Sequence, residues 1–107
     1  MSLGMGNLAF ADGRREGRED VHYRAKAFGA DARQLNIVIV NISPHGMMAR
    51  CEREFEIDDR IQVTLPVVGV VAADVRWSLG GRIGCQFDPA INLAGYYELI
   101  AAMMKAK

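Results

Sequence analysis

The sequence predicts a mostly β protein: a small antiparallel barrel or sandwich with one C-terminal α-helix. Three observations point there. Short apolar, β-branched runs recur between about residues 21 and 88, too closely spaced for helices to lie between them. Clusters of glycine, proline and aspartate punctuate these runs. The final segment alone changes to a helical period. At 107 residues, half of them apolar, the chain has room for one domain with a modest core.

Residues 1 to about 20 are rich in glycine (Gly4, Gly6, Gly13, Gly17) and in charge, and have no apolar period. They read as a flexible N-terminal segment. A first strand is expected from Val21 to Phe28, closed by Gly29-Ala30-Asp31. The next run, Leu35 to Ile42, is apolar on both faces and suits a strand buried on both sides or crossing between layers. Ser43-Pro44-His45-Gly46 ends it with turn chemistry.

A short strand can follow from Met47 to Arg53, then an acidic connection through Glu54, Glu56, Asp58 and Asp59, the last two reading as a turn. Ile61 to Leu65 alternates cleanly and stops at Pro66. Val67 to Trp77 is another strand region, with Gly69 as a bend or bulge and Trp77 as a core residue or, alternatively, at an edge position near a ligand. Gly80-Gly81 is a two-residue hairpin signal, and the returning strand sets Ile83, Cys85 and Phe87 on one face. Asp88-Pro89 and Asn92 are helix-start residues. Leu93, Tyr97, Ile100 and Met104 then form one helical stripe, widened by Tyr96, Leu99 and Met103. The stripe is expected to pack on the barrel.

Composition narrows the function. Thirteen basic residues balance thirteen acidic ones, without the basic excess that polymeric DNA or RNA demands. Aromatic residues make up 7% of the chain, few for the stacking platforms of a single-strand binder. Cys51 and Cys85 lie in no metal-ligand pattern and read as buried free thiols of a reducing cytosol. No stretch of 18 apolar residues and no secretory leader is present, so membrane insertion is not expected and a cytoplasmic location is. His45 lies two residues from Ser43, but no carboxylate is obviously placed to orient it and no Gly-x-Ser-x-Gly elbow is present. An enzyme is not expected.

Two segments carry chemistry. Arg14-Arg15-Glu16-Gly17-Arg18 precedes the first strand, and Asn41-Ile42-Ser43-Pro44-His45-Gly46 ends the second. An arginine fork pairs bidentately with phosphate or with the O6/N7 edge of guanine, and its flat face stacks on a purine. Asn41 and Ser43 share a strand face by their spacing and can hydrogen-bond a base edge or a phosphate. Gly46, without a Cβ, permits a left-handed turn or close approach of a ligand.

An RxxxR pattern from Arg14 to Arg18, followed 23 residues later by (D/N)xSxxG from Asn41 to Gly46, resembles the paired motifs of the PilZ domain family. Ile57 to Leu65, Val75-Arg76-Trp77 and Arg82 to Phe87 fit the same pattern, over about residues 14 to 104. The resemblance implies a six-stranded antiparallel barrel (about 21–88), an arginine arm (14–20), a C-terminal helix (about 90–105) and a leading flexible segment (1–13). It implies a receptor for cyclic di-GMP, with no cofactor. Arg14, Arg15 and Arg18 would contact phosphates and guanines, together with Asn41, Ser43 and Gly46. Asn41 replaces the commoner Asp and would bind guanine donors less strongly. The implied protein is a monomer or weak homodimer that signals to an unidentified effector. The alternative is a degenerate PilZ-like module that contacts protein and binds no nucleotide, against which the three arginines count.

Overall fold

The computed structural model describes residues 18–105. Arg14, Arg15 and the segment assigned to residues 1–13 lie outside that range. Six strands close into one antiparallel barrel: β1 (Glu19–Phe28), β2 (Gln34–Ser43), β3 (Gly46–Arg50), β4 (Arg60–Leu65), β5 (Gly69–Leu79) and β6 (Arg82–Phe87). Their order around the barrel is β1-β2-β3-β6-β5-β4, with β4 returning to β1. The helix α1 (Leu93–Lys105) follows.

Alternation builds the core. Along β4, Ile61, Val63 and Leu65 are buried while Arg60, Gln62 and Thr64 face out. Along β6, Ile83, Cys85 and Phe87 point inward as their spacing predicts. The β5–β6 hairpin turns on Gly80 and Gly81, both with positive φ, the geometry of a two-residue hairpin turn. Leu79 and Arg82 therefore stand opposite each other.

Several expectations need correction. β1 begins at Glu19, so Glu19 and Asp20 belong to the barrel, paired with Ile42 and Asn41, and not to the arginine arm. β2 is not buried on both faces. A register shift at Val40 lets Ile37, Ile39 and Ile42 all point inward, which produces the continuous apolar run. β3 stops at Arg50, and Cys51 donates its N–H to the Gly81 carbonyl. Gly69 does not kink a strand; with φ +81 it closes the turn in which Val67 also has positive φ. The irregularity of β5 falls at Arg76 instead.

The helix also turns a different face to the barrel. Tyr96, Leu99 and Met103 are buried, while Leu93, Tyr97 and Met104 of the expected stripe are exposed. Three anchors set that rotation. Asn92 caps the helix by accepting the Gly95 N–H at 2.7 Å, Ile91 donates to the Pro44 carbonyl, and the Tyr96 hydroxyl donates to the Ile42 carbonyl at 3.1 Å. Asn92 is also why the helix starts at Leu93 and not near residue 90.

Candidate ligand-binding groove

The hairpin between β2 and β3 positions the second motif. Ser43 and Gly46 are paired across it, with Pro44 and His45 as the turn. The Ser43 hydroxyl oxygen accepts the His45 N–H at 3.1 Å and the Gly46 N–H at 3.3 Å. Both acceptor sites are then occupied locally, and the O–H remains able to donate. The space that a Cβ on Gly46 would need is filled by the Cys85 carbonyl of β6. Close approach therefore explains this glycine, but the approaching group is a neighbouring strand.

Because β1 pairs with β2, the chain before β1 emerges beside Asn41. Arg18 donates from Nη1 to Asn41 Oδ1 at 2.8 Å, directly joining the two motifs. Arg18, Asn41, Ser43 and Gly46 line one groove of about 570 Å³ on the outer wall of the barrel. The structure thus brings together four of the six residues assigned from sequence; Arg14 and Arg15 are the two outside the described range.

The floor and far wall of the groove come from β3, β5 and β6. Met48 is paired with Gly84, and Gly84 with Trp77. The indole lies against Gly84, where any Cβ would collide with the ring. Trp77 is 40% exposed and is not a core residue as its character suggests. Its register partner is a glycine, so the ring folds down on the sheet and leaves its outer surface to the groove. Arg76 stands at the rim, donating to Gln86 Oε1 at 3.1 Å and to Asp58 Oδ1 at 3.0 Å. His45 is exposed at the turn and lines the same groove.

Trp77, Gly84, Arg76 and Gln86 were not assigned to a site from sequence. The signal was nonetheless present. With a two-residue turn at Gly80-Gly81, counting back places Trp77 opposite Gly84.

Neither thiol is poised for chemistry. Burial pushes Cys85 up to about 12 and raises Cys51, so both stay protonated at neutral pH. Both are free. Among the described residues no group of three or more His, Cys, Asp and Glu is placed to hold a metal. None of their helices is long and apolar enough to cross a membrane.

A second groove, about 660 Å³, lies beside β2 and the end of β3 and contains none of the motif residues.

A closed six-stranded barrel with an arginine-rimmed, tryptophan-floored groove on its wall defines a small β-barrel binding domain. The PilZ domain model matches residues 12–104, and the chain belongs to that family. The fold is similar to the crystal structure of the PilZ domain of CeSA from a cellulose synthesizing bacterium. That likeness has a TM-score of 0.59 and 13% identity, covering 83% of this chain and 96% of that one. It is also similar to the PilZ domain of YcgR from Escherichia coli, solved with c-di-GMP. There the TM-score is 0.57 and the identity 18%, with 82% of this chain and 86% of that one covered. No curated protein matches the chain.

Proposed function

We propose that this chain is a cyclic di-GMP receptor that acts as a ligand-gated adaptor. The observation carrying the reading is the hydrogen bond from Arg18 to Asn41 at the rim of the groove. It sets a phosphate- and guanine-binding fork beside short polar groups, opposite an exposed aromatic face. Each element suits one part of a purine dinucleotide. Arginine forks take phosphate or the guanine O6/N7 edge. Asn41 offers an amide to a base edge, the Ser43 O–H is free to donate, and Trp77 offers a stacking surface.

In this reading Arg18 must release Asn41 when ligand enters. The exchange is inexpensive, because the bond is solvent-exposed. Arg14 and Arg15 join Arg18 in closing over the ligand, and that closure makes binding itself the switch. The closed surface is read by an effector protein, and no catalytic step is needed. The chain works in the cytoplasm as a monomer or weak homodimer.

Calorimetric titration of cyclic di-GMP into the wild type and Arg14→Ala/Arg18→Ala, with GTP as control, tests this. Saturable binding by the wild type alone is the expected result. Absence of heat with the wild type at low salt would replace the reading with that of a partner-binding module that takes no nucleotide.

A further inference from the structure

The outer wall carries a second polar feature that the nucleotide groove does not use. The register sets Arg24 opposite Val38, Val38 opposite Arg50, Arg50 opposite Arg82, and Arg82 opposite Leu79. This row crosses five strands. On β3, β5 and β6 it lies two residues along from Met48, Trp77 and Gly84, a displacement of about 7 Å. Arg24, Arg50 and Arg82 are exposed, and Leu79 is 79% exposed.

Arg50 and Arg82 are directly opposite, an arrangement that destabilises a sheet when the charges are alike. Among the described residues no ion pair involves Arg24, Arg50 or Arg82. Three other arginines are paired: Arg53 with Asp31, Arg60 with Asp74 and Asp88, and Arg76 with Asp58. Two of these three clusters lie around β4 and β5, and in all three the acidic charge is already taken up by an arginine outside the row. Leu35, Val38, Arg50 and Arg53 line the adjoining groove of about 660 Å³, with Glu52 as its acidic residue.

We propose that Arg24, Arg50 and Arg82 form a docking row for an extended acidic segment of a partner protein, whose alternate carboxylates face the three guanidinium groups. The proposal rests on the adaptor reading and gives its effector a chemistry. Charge complementarity carries it. Guanidinium forks suit carboxylates, and a carboxylate between Arg50 and Arg82 relieves their repulsion. Three arginines on a chain with zero net charge are a weak anchor for nucleic acid. They also fall short of the four to eight clustered basic residues that mark anionic-lipid binding. A segment seated about 7 Å from the groove would lie against a nucleotide held there, which makes docking sensitive to ligand.

The test is an NMR titration of the peptide acetyl-Glu-Leu-Glu-Val-Glu-amide into the full chain at low salt, with and without cyclic di-GMP. Arms with the variant Arg50→Gln/Arg82→Gln, with a single-stranded oligonucleotide and with phosphatidylglycerol vesicles run in parallel. Saturable shifts centred on Val38, Arg50 and Arg82 are expected, weakened about tenfold or more in the variant. The variant should melt no lower than the wild type, because it removes a like-charge pair, and should bind cyclic di-GMP as the wild type does. Equal peptide binding by the variant, shifts centred on Arg18 and Asn41, or a stronger response to oligonucleotide or vesicles would overturn the proposal. Absence of cyclic di-GMP binding by the wild type, with peptide binding intact, would instead count against the receptor reading, so the two failures are distinguishable.

Discussion

Gly46 shows how one position can carry a motif for a reason the motif does not state. Its place in the pattern suggests contact with ligand, yet the Cys85 carbonyl fills the space of a Cβ. Gly46→Ala must push β3 away from β6, and an overpacked site of this kind costs about 1–3 kcal/mol. Thermal unfolding should drop by about 4 °C or more. Binding of cyclic di-GMP at temperatures where the variant is folded should stay within a few-fold of wild type; selective loss of binding would show that this glycine faces ligand. Trp77 behaves in the opposite way. Its ring is half-exposed over Gly84, so Trp77→Ala should lower the melting temperature less than Gly46→Ala does. Base stacking is worth about 1–3 kcal/mol, so titration should find the dissociation constant for cyclic di-GMP raised about 5- to 150-fold. An unchanged constant would remove the stacking surface from the site. Asn41, Ser43 and Gly46 were legible because their relation is local to one hairpin. Trp77 reads first as core because an isolated tryptophan usually is, and only the glycine across the hairpin favours the alternative edge position.

Strands proved easier to read than their irregularities. Ile61 to Leu65 and Arg82 to Phe87 keep a strict period of two, and both are strands with the expected faces inward. At Val40 and Arg76 the register shifts, and simple alternation loses its phase. That is why β2 looks buried on both sides, and why Trp77 looks like core. The helix was legible as an element but not in its rotation. Seven large apolar side chains wrap around it, and nothing in their spacing chooses between the stripes of Leu93 and of Tyr96. Contacts distant in sequence choose, and the Tyr96 hydroxyl to the Ile42 carbonyl spans 54 residues. Ile42 lies between Asn41 and Ser43, so this bond fastens the helix to the strand that carries the groove. Tyr96→Phe keeps the ring and removes the bond, leaving the Ile42 carbonyl without that donor. A loss of about 1 kcal/mol follows. A fall of about 4–8 °C in melting temperature is expected by calorimetry. No change would mean that the rotation of α1 is set by packing alone.

For the molecule as a whole, the ionisable groups define a pH window of stability. Arg60 hydrogen-bonds Asp74 and holds its carboxyl below the ordinary range; the Arg33 amide and the Arg53 side chain do the same for Asp31. Groups whose folded pKa is depressed stabilise above their unfolded value, near 4, and lose that contribution as pH falls through the folded one. Asp31 is exposed and Asp74 half-buried beside the exposed Arg60, so the acid limb should be shallow and weakened further by salt. The alkaline limb differs in sign and in depth. Burial raises the Cys85 thiol from an ordinary value near 9 to about 12, and the Tyr96 phenol from near 10 to about 12. In the unfolded chain these groups shed their protons two to three pH units earlier. Between pH 9 and 12 the unfolded state therefore binds fewer protons, and stability falls as pH rises. Below pH 9 the contribution is complete. Melting temperature should be level from about pH 5 to 8 and fall increasingly steeply above 9. Cys85→Ala, even if less stable at neutral pH, should flatten the decline between pH 9 and 11 relative to wild type. Parallel curves would mean that water reaches Cys85, a residue that lines the candidate groove and joins the core through the same strand. The wall that separates ligand from core would then be more open than its packing indicates.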